Sequence, residues 1–318
     1  MAATSHRYIE TRGSKFRVRL PETILAKRWL GTYDTIDDAL AARDAFLEHH
    51  SSMNRSLPDV ATPRQAWNAT PLQLDLPDIW LYCADMHAPA YSKQMVERLL
   101  AVGRHYGVKR LVIGGDLMDQ ATVSKWPNIT PQHSLSETQD ATGELLVTLA
   151  DVFEEIVVFS GNHDQRVAKK LGNHISLESL LWSCIKGRPF KAKLIASDFT
   201  FAYFGDEGNG GPDTGIVAGH PAFFSQVAAK SLADVAMIQH RHVLGSHIHA
   251  AGQLWSRCGR YWAIDPGCML DPANTPYIQL GIGISKFPQW KQGFVLMRKS
   301  IPLLMCDGWV DWSEHGVD

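Results

Sequence analysis

The sequence has few cysteines, and they lie too far apart to act together. Five occur in 318 residues, and no two of them form a CxxC pair. Because structural zinc sites and disulfide frameworks both need closely spaced cysteines, this distribution excludes a zinc knuckle and a disulfide scaffold. We expect each cysteine to be a buried apolar side chain. The five are Cys83, Cys184, Cys258, Cys268 and Cys306.

Long apolar runs are also absent. The longest, such as residues 79–84, have the length of a β-strand, whereas a helix that spans a bilayer needs about 20 apolar residues. The first residues lack the basic and then apolar layout of a signal peptide, so we expect a cytoplasmic protein that does not contact membranes. With 45% hydrophobic and 20% charged residues, the composition is that of an ordinary globular protein.

The basic residues are concentrated at one end. The net charge is only −2, yet residues 1–31 hold seven basic and two acidic side chains, a local charge of +5. The remainder of the chain therefore carries a charge of −7. A basic segment beside an acidic body predicts that this segment contacts a polyanion.

The hydrophobic pattern divides the chain into three segments. Residues 1–50 contain a strand that alternates basic and apolar positions (15–20) and an Ala-rich helix (36–49). Residues 51–77 have no clear periodicity, which predicts a linker. Residues 78–318 alternate strands and helices, which predicts an α/β sandwich with helices covering packed sheets. We predict strands over 79–84, 110–115, 156–161, 215–219, 242–245 and 261–264, and helices over 92–106, 136–153, 177–185 and 223–237.

Short polar motifs follow five of these predicted strands. Ligands of α/β proteins bind beyond the carboxyl ends of strands, and glycines beside the polar residues let the backbone turn sharply. We therefore expect the five motifs to meet at one edge of the sheets. They are Asp85-Met86-His87, Gly115-Asp116-Leu117-Met118-Asp119, Gly161-Asn162-His163-Asp164, Gly219-His220 and His247-Ile248-His249.

The residue types in these motifs suit divalent cations. Oxygen and nitrogen donors without a thiolate fit manganese, iron or zinc. One aspartate can bridge two ions because its two oxygens carry separate lone pairs. Asn162 supplies a neutral oxygen, so two carboxylates facing two divalent ions leave a net positive site that attracts phosphate. We expect two divalent ions, Mn²⁺ in the first place and iron or zinc as alternatives.

In this order the five motifs resemble those of the calcineurin-like metallophosphoesterases, over about residues 78–300. The resemblance implies a β-sandwich flanked by helices, and phosphoester hydrolysis by a metal-activated hydroxide. It also implies that His163 lies beside the scissile phosphate without binding metal, and that Asp119 and Asp164 orient the histidines. The implied ligands are Asp85, His87 and His249 for the first metal, Asn162, His220 and His247 for the second, and Asp116 as the bridge.

Two positions depart from the family pattern or compete with it. The family usually has glycine directly before the first histidine of the last motif, where this chain has Ser246 after Gly245. His240 and His242 are alternatives to His220 as the histidine of the fourth motif. We favour His220 because it closes an apolar strand.

The N-terminal segment resembles the ethylene-response-factor (APETALA-two) DNA-binding domain. The resemblance rests on residues 15–19, 29–35 and 38–44, and it implies a three-stranded sheet packed on one helix, with strands that enter the major groove. Cationic side chains on such a sheet contact phosphates and guanine edges. The alternative is a basic mini-domain that docks on its acidic neighbour. The candidates for DNA contact are Arg12, Lys15, Arg17, Arg19, Lys27 and Arg28.

These observations lead to one favoured function and two alternatives. The favoured function is a two-metal phosphodiesterase or nuclease that acts on DNA recruited by the N-terminal segment. A phosphomonoesterase or phosphoprotein phosphatase would use the same metal ligands. A DNA-binding regulator with a vestigial phosphoesterase domain is the third reading, and the intact set of ligand residues argues against it.

Overall fold

The computed structural model describes residues 8–20, 29–55, 71–124, 133–205, 215–222, 225, 227–274 and 290–317. The chain divides into two units, Met1–Ala69 and Thr70–Asp318. This division falls inside the stretch that the sequence predicts to be a linker.

The first unit is a small antiparallel sheet with one helix. Its strands have the order β1-β2-β3, and Val18, Leu20 and Ala39 form a small core with Ile9. Because side chains alternate between the faces of a strand, the basic residues of β2 lie on the face opposite this core. The elements are β1 (Ile9–Arg12), β2 (Lys15–Arg19), β3 (Trp29–Tyr33) and α1 (Ile36–Arg55).

The second unit contains two six-stranded sheets. We call the first the β5 sheet; its strand order is β15-β14-β5-β6-β7-β8, and β5 to β8 run parallel. Apart from Arg110 and Glu155 at the first positions of β6 and β7, its central strands are apolar, as expected when both faces of a parallel sheet are covered. The strands are β5 (Ile79–Cys83), β6 (Arg110–Ile113), β7 (Glu155–Phe159), β8 (Lys193–Ser197), β14 (Gly293–Arg298) and β15 (Ile301–Cys306).

The second sheet, which we call the β10 sheet, has the strand order β12-β13-β11-β10-β9-β4. Strands β10, β11 and β13 run parallel, and β12 is antiparallel to β13. Strand β9 is antiparallel to β10 and parallel to β4. The strands are β4 (Leu72–Leu74), β9 (Phe201–Phe204), β10 (Ile216–Gly219), β11 (His242–Gly245), β12 (Ala251–Trp255) and β13 (Trp262–Pro266).

Apolar layers hold the two sheets and the helices together. Between the sheets, the Trp80 ring stacks on Phe204 with centroids 4.9 Å apart, and residues of β7, β10 and β11 complete this layer. The other face of the β5 sheet packs against α2, α3 and α5, and the other face of the β10 sheet packs against α6. The helices are α2 (Lys93–Tyr106), α3 (Leu135–Ala150), α4 (Gln165–Lys170), α5 (Leu177–Ile185) and α6 (Lys230–Gln239).

The expected fold class is confirmed: an α/β sandwich flanked by helices follows a small three-stranded sheet with one helix. Serine caps explain three of the helix starts, those of α2, α3 and α5. Ser92 accepts a hydrogen bond from the backbone of Met95 at the start of α2. Ser134 and Glu137 form a capping box at the start of α3, which satisfies amide groups that lack partners inside the helix.

Several predicted boundaries are wrong. Helix α6 begins at Lys230 and not at Phe223, because Ala229 has a left-handed backbone with φ of 57°. Helix α1 was predicted to end at residue 49 but continues to Arg55. Strand β4 lies inside the predicted linker, where no strand was expected, and pairs with β9. Four of the cysteines are buried as expected, but Cys258 is exposed.

Among the described helices, none combines the length and apolar character needed to cross a bilayer.

Candidate metal centre

The polar motifs of the second unit meet where the strands of both sheets end. Strands β5, β6 and β7 of the β5 sheet lead to the first three motifs, and β10 and β11 of the β10 sheet lead to the last two. We call the seven predicted ligands at this place the metal edge. They are Asp85, His87, Asp116, Asn162, His220, His247 and His249.

One group within the metal edge consists of Asp85, His87 and His249, all three of them buried. The Nε2 atoms of the two histidines lie 3.4 Å apart. Asp85 Oδ1 lies 3.3 Å from His249 Nε2 and 3.8 Å from His87 Nε2. Three donor atoms from two loops thus lie close together, and they belong to the residues that the family resemblance implies for the first metal.

A second group consists of Asp116, His220 and His247, with Asn162 beside them. His220 Nε2 lies 3.3 Å from Asp116 Oδ2, 3.1 Å from His247 Nδ1 and 3.1 Å from Asn162 Oδ1. These are the four residues predicted to hold the second metal and the bridge.

Asp116 lies between the two groups. Its Oδ2 is 3.3 Å from His220 Nε2 in the second group and 3.7 Å from His87 Nε2 in the first. Its Oδ1 accepts a hydrogen bond of 2.7 Å from the backbone N–H of His163. That bond fixes the carboxylate, so one oxygen remains directed at both groups.

Several donor atoms of the metal edge lack suitable hydrogen-bond partners among the described residues, and a divalent cation would satisfy them. Asp85 Oδ1 is buried and accepts no hydrogen bond from the described part of the chain. The ring nitrogens of His87 and His249, and those of His220 and His247, approach within 3.4 and 3.1 Å. Two imidazole lone pairs repel each other unless a proton or a cation lies between them. Oxygen and imidazole donors in two groups with a shared carboxylate, all of them buried except Asn162 and His247, therefore match two divalent ions.

The electrostatics lead to the same conclusion. Burial alone would lower the pKa of His220, but the neighbouring Asp116 carboxylate raises it to about 10. Burial alone would raise the pKa of Asp116, but His220 and His163 hold it well below its ordinary value. The buried carboxylate thus draws positive charge to this point, and protons and metal ions compete for it.

The backbone of the metal edge is strained. Left-handed φ angles are uncommon for residues other than glycine, and each costs on the order of 1–3 kcal/mol unless the surroundings enforce it. Such strain clusters at functional sites. The φ angles are 53° at Asp85, 50° at His87, 51° at Asp116, 104° at His247 and 61° at His249.

The position before Asn162 requires a glycine, Gly161, because the loop of Asp116 passes close to it. A Cβ atom at this position would collide with the Oδ1 and backbone nitrogen of Asp116. Only glycine lets the two loops approach closely enough to hold the Asp116 carboxylate between the groups.

His163 lies at the mouth of the metal edge and is held by two polar neighbours. Its Nδ1–H donates to Asp119 Oδ1 over 2.7 Å, since a carboxylate can only accept. Its Nε2 faces the Arg166 guanidinium, whose Nη2 lies 2.9 Å away. Arg166 in turn donates to the backbone carbonyl of Asp119 over 2.7 Å. Asp119 therefore orients His163 as predicted, and Arg166 joins them.

Asp164 differs from its predicted role. We expected it to orient histidines, but among the described residues its carboxylate accepts hydrogen bonds from the backbone N–H groups of Leu117, Met118 and Gly161. Burial, together with the charge of Asp116, raises the pKa of Asp164 to about 6. Asp164 ties the β6 and β7 loops together and acts on the metal edge through their backbone.

The competing histidines have other roles. His242 lies on β11, stacks on Trp262 with ring centroids 4.5 Å apart, and accepts a hydrogen bond from the Trp262 backbone. His240 is exposed at the end of α6. Neither belongs to the metal edge, whereas His220 does.

The predicted DNA-contacting residues lie in the first unit. Arg12, Lys15 and Arg19 are exposed and Arg17 is half-buried, and we call these four the basic face. Two acids partly neutralise it: Glu10 Oε1 lies 3.1 Å from Arg19 Nη1, and Asp34 Oδ1 lies 3.1 Å from Lys15 Nζ. The other two candidates, Lys27 and Arg28, lie outside the described residues.

Two neighbours of the metal edge were not assigned a role from the sequence. Ser246 contacts His220, and Trp290 packs against His249 with ring centroids 4.4 Å apart. Strand register could have identified Ser246, because β10 and β11 pair in parallel up to Gly219 and Gly245. No sequence signal marks Trp290, which is distant in the chain from every motif.

No family model and no curated protein matches this sequence. Solved structures of Vps29 are similar. Vps29 from Cryptosporidium parvum has 14% identity and a TM-score of 0.35, covering 73% of this chain and 88% of its own. Vps29 from Chaetomium thermophilum has 10% identity and a TM-score of 0.34, covering 70% and 79%. Zn²⁺-complexed Vps29 from Entamoeba histolytica has 14% identity and a TM-score of 0.34, covering 70% and 88%. At these TM-scores we assign no residue from the similarity.

Proposed function

We propose that this protein is a two-metal hydrolase of phosphoesters. The observation that supports this proposal best is the shared position of Asp116 between two groups of metal-binding side chains, which are buried except for the half-buried His247. A pair of ions on such a site is the usual arrangement for in-line displacement at phosphorus.

The chain's own residues divide the work. Asp85, His87 and His249 would hold the first ion, and Asn162, His220 and His247 would hold the second, with Asp116 shared. When bound, such ions would supply an activated water as the nucleophile and would offset charge on the phosphoryl oxygens. Burial of the aspartates strengthens their hold on the cations because the local dielectric is low.

His163 transfers the proton in this scheme. Asp119 accepts the Nδ1–H and fixes the ring, and Nε2 lies 2.9 Å from Arg166 Nη2 and 4.0 Å from Asp116 Oδ2. Because a guanidinium only donates, Nε2 accepts a proton once Arg166 has turned to a phosphate oxygen of the substrate. That proton then passes to the departing oxygen, which general acid catalysis accelerates. Arg166, held by the carbonyl of Asp119, contributes a positive charge for a phosphate oxygen at the same mouth.

The test of the general proposal is metal-dependent hydrolysis of small substrates. We expect purified protein with a chelator to be inactive, and added Mn²⁺ to restore hydrolysis of bis-p-nitrophenyl phosphate. Comparing that diester with p-nitrophenyl phosphate separates a phosphodiesterase from a phosphomonoesterase or phosphoprotein phosphatase. Turnover that is unaffected by a chelator, with no metal bound, would rule the proposal out.

The finer proposal is that the substrate is DNA. It is supported by the basic face, where Arg12, Lys15, Arg17 and Arg19 lie on one side of the small sheet and its core on the other. Such a face gives sequence-independent attraction to phosphates. Incubation with linear, circular and single-stranded DNA in Mn²⁺ tests this step and distinguishes exonuclease from endonuclease action. Binding to DNA without cleavage, in a protein that also fails to hydrolyse small esters, would favour the regulator alternative.

A further inference from the structure

Ser246 is the position at which this chain departs from the glycine of the family pattern, and it is buried beside the metal edge. Strands β10 and β11 pair in parallel, and Gly219 is opposite Gly245 in the last pair. The next residues along the two strands are His220 and Ser246. The strand register therefore places the serine side by side with a predicted metal ligand, and only 2% of the serine surface is exposed.

The hydroxyl of Ser246 has a defined direction. It donates to the backbone carbonyl of Gly114 over 2.8 Å. Because its single proton is committed to that carbonyl, Oγ acts as an acceptor towards His220 Nδ1, which lies 2.9 Å away. Nδ1 of His220 therefore carries a hydrogen, and the Nε2 lone pair is left for a metal ion.

The opposite nitrogen of His220 points at the second metal site. Nε2 lies 3.3 Å from Asp116 Oδ2 and 3.1 Å from Asn162 Oδ1. We propose that Ser246 is a positioning residue that fixes the ring and the Nδ1–H form of His220 and thereby strengthens the second metal site. A glycine at this position would supply no side-chain acceptor. The inference rests on the proposed two-metal function.

The expected size of the effect is limited by a second acceptor. His220 Nδ1 also lies 3.2 Å from the carbonyl of Gly114, so some orientation survives without the hydroxyl. Residues that orient metal-binding histidines typically contribute 10–100-fold in affinity. We therefore expect Ser246→Ala to weaken binding at the second site by roughly tenfold, the lower end of that range, with a smaller change at the first site.

The experiment is a titration of metal-free protein with Co²⁺, followed by visible absorption, which measures the two sites without any turnover. Ser246→Ala and Ser246→Gly should both weaken the second site, and Ser246→Thr, which keeps the hydroxyl, should restore it. Ser256→Ala is the matched control. It removes another buried serine hydroxyl, which accepts a hydrogen bond from the Tyr261 backbone, and both sites should keep wild-type affinity.

A second measurement follows the hydrogen itself. In the Zn²⁺-loaded protein, the Nδ1–H proton of His220 should give a slowly exchanging NMR signal, and Ser246→Ala should shift it and accelerate its exchange. Equal weakening of both sites in Ser246→Ala would indicate a general folding defect and overturn the positioning role, as would unchanged affinity with an unchanged Nδ1–H signal. Wild-type protein that takes up fewer than two Co²⁺ ions would instead overturn the two-metal proposal.

Discussion

The metal edge and the basic face both collect charged side chains, but they do so under opposite conditions. Asp85 and Asp116 are buried to 0% and 2% exposure, and both lie on left-handed backbone. In contrast, the ion pair of Lys15 with Asp34 has side-chain exposures of 58% and 81%, and no residue of β2 has a left-handed backbone.

This difference shows which of the two regions needs a ligand. Buried carboxylates and strained backbone both cost free energy, so the metal edge is stable only when cations or protons offset its charge. The basic face is solvated and partly neutralised by Glu10 and Asp34, so it needs no ligand to be stable. Burial and strain therefore support the metal proposal directly, while the DNA proposal depends on charge alone.

The largest effect should come from Asp116→Asn. Removing the charge shared by both groups weakens both ions at once, so we expect metal content to fall at both sites and turnover to drop to background. Metal analysis of dialysed protein and diester hydrolysis measure this. Asp140→Asn is the control, because it removes an equal charge from an exposed carboxylate that contacts only Arg188 among the described residues. Two tightly bound ions with full turnover in Asp116→Asn would show that the bridge assignment is wrong.

His163→Ala should have the next largest effect. Loss of a general acid typically lowers turnover by roughly two to four powers of ten. His163 also lies with His87 and Asp116 in a further group that could hold a metal ion, but in the proposed scheme it holds none, so metal content should stay at the wild-type level. His174→Ala, which changes an exposed histidine outside the five motifs, should change neither turnover nor metal content. If His163→Ala loses a metal ion, His163 is itself a ligand.

The place of the metal edge could be predicted because an apolar strand followed by a polar residue, with a glycine between them in four of the five motifs, marks the end of a strand without knowledge of its partners. Which residue would hold which metal came from the family resemblance alone. The features that could not be predicted depend on packing between segments that are distant in the sequence. Strand β4 pairs only because β9 offers an edge, and Asp164 turns to the β6 loop because three backbone amides converge there. The contact of Arg166 with the Asp119 carbonyl is likewise tertiary.

Arg166→Gln should have a moderate effect. A hydrogen bond to a charged group contributes about 1.5–3 kcal/mol, so kcat/KM for the diester should fall by about one to two powers of ten. Inhibition by inorganic phosphate should weaken in parallel, because the same oxygens are contacted. Lys169→Gln removes an exposed charge from the same helix and serves as the control. Wild-type kcat/KM and phosphate inhibition in Arg166→Gln would show that the guanidinium only supports His163 or the loop.

The smallest effect belongs to the basic face and concerns salt dependence. Each neutralised phosphate contributes about −0.9 to the slope of log affinity against log salt. If Arg17 and Arg19 each contact a phosphate, the double variant Arg17→Gln with Arg19→Gln should flatten this slope by roughly 1.8 units and weaken DNA binding. Hydrolysis of bis-p-nitrophenyl phosphate should be unchanged, because that substrate needs only the metal edge.

The matched control replaces Lys109 and Lys299, two exposed lysines of the second unit, with glutamine, which alters the net charge equally. If both double variants change the slope to the same extent, the attraction reflects overall charge and the basic face has no special role. If the first variant alone flattens it while small-substrate turnover persists, DNA recruitment and phosphoester chemistry are separate properties of the two units.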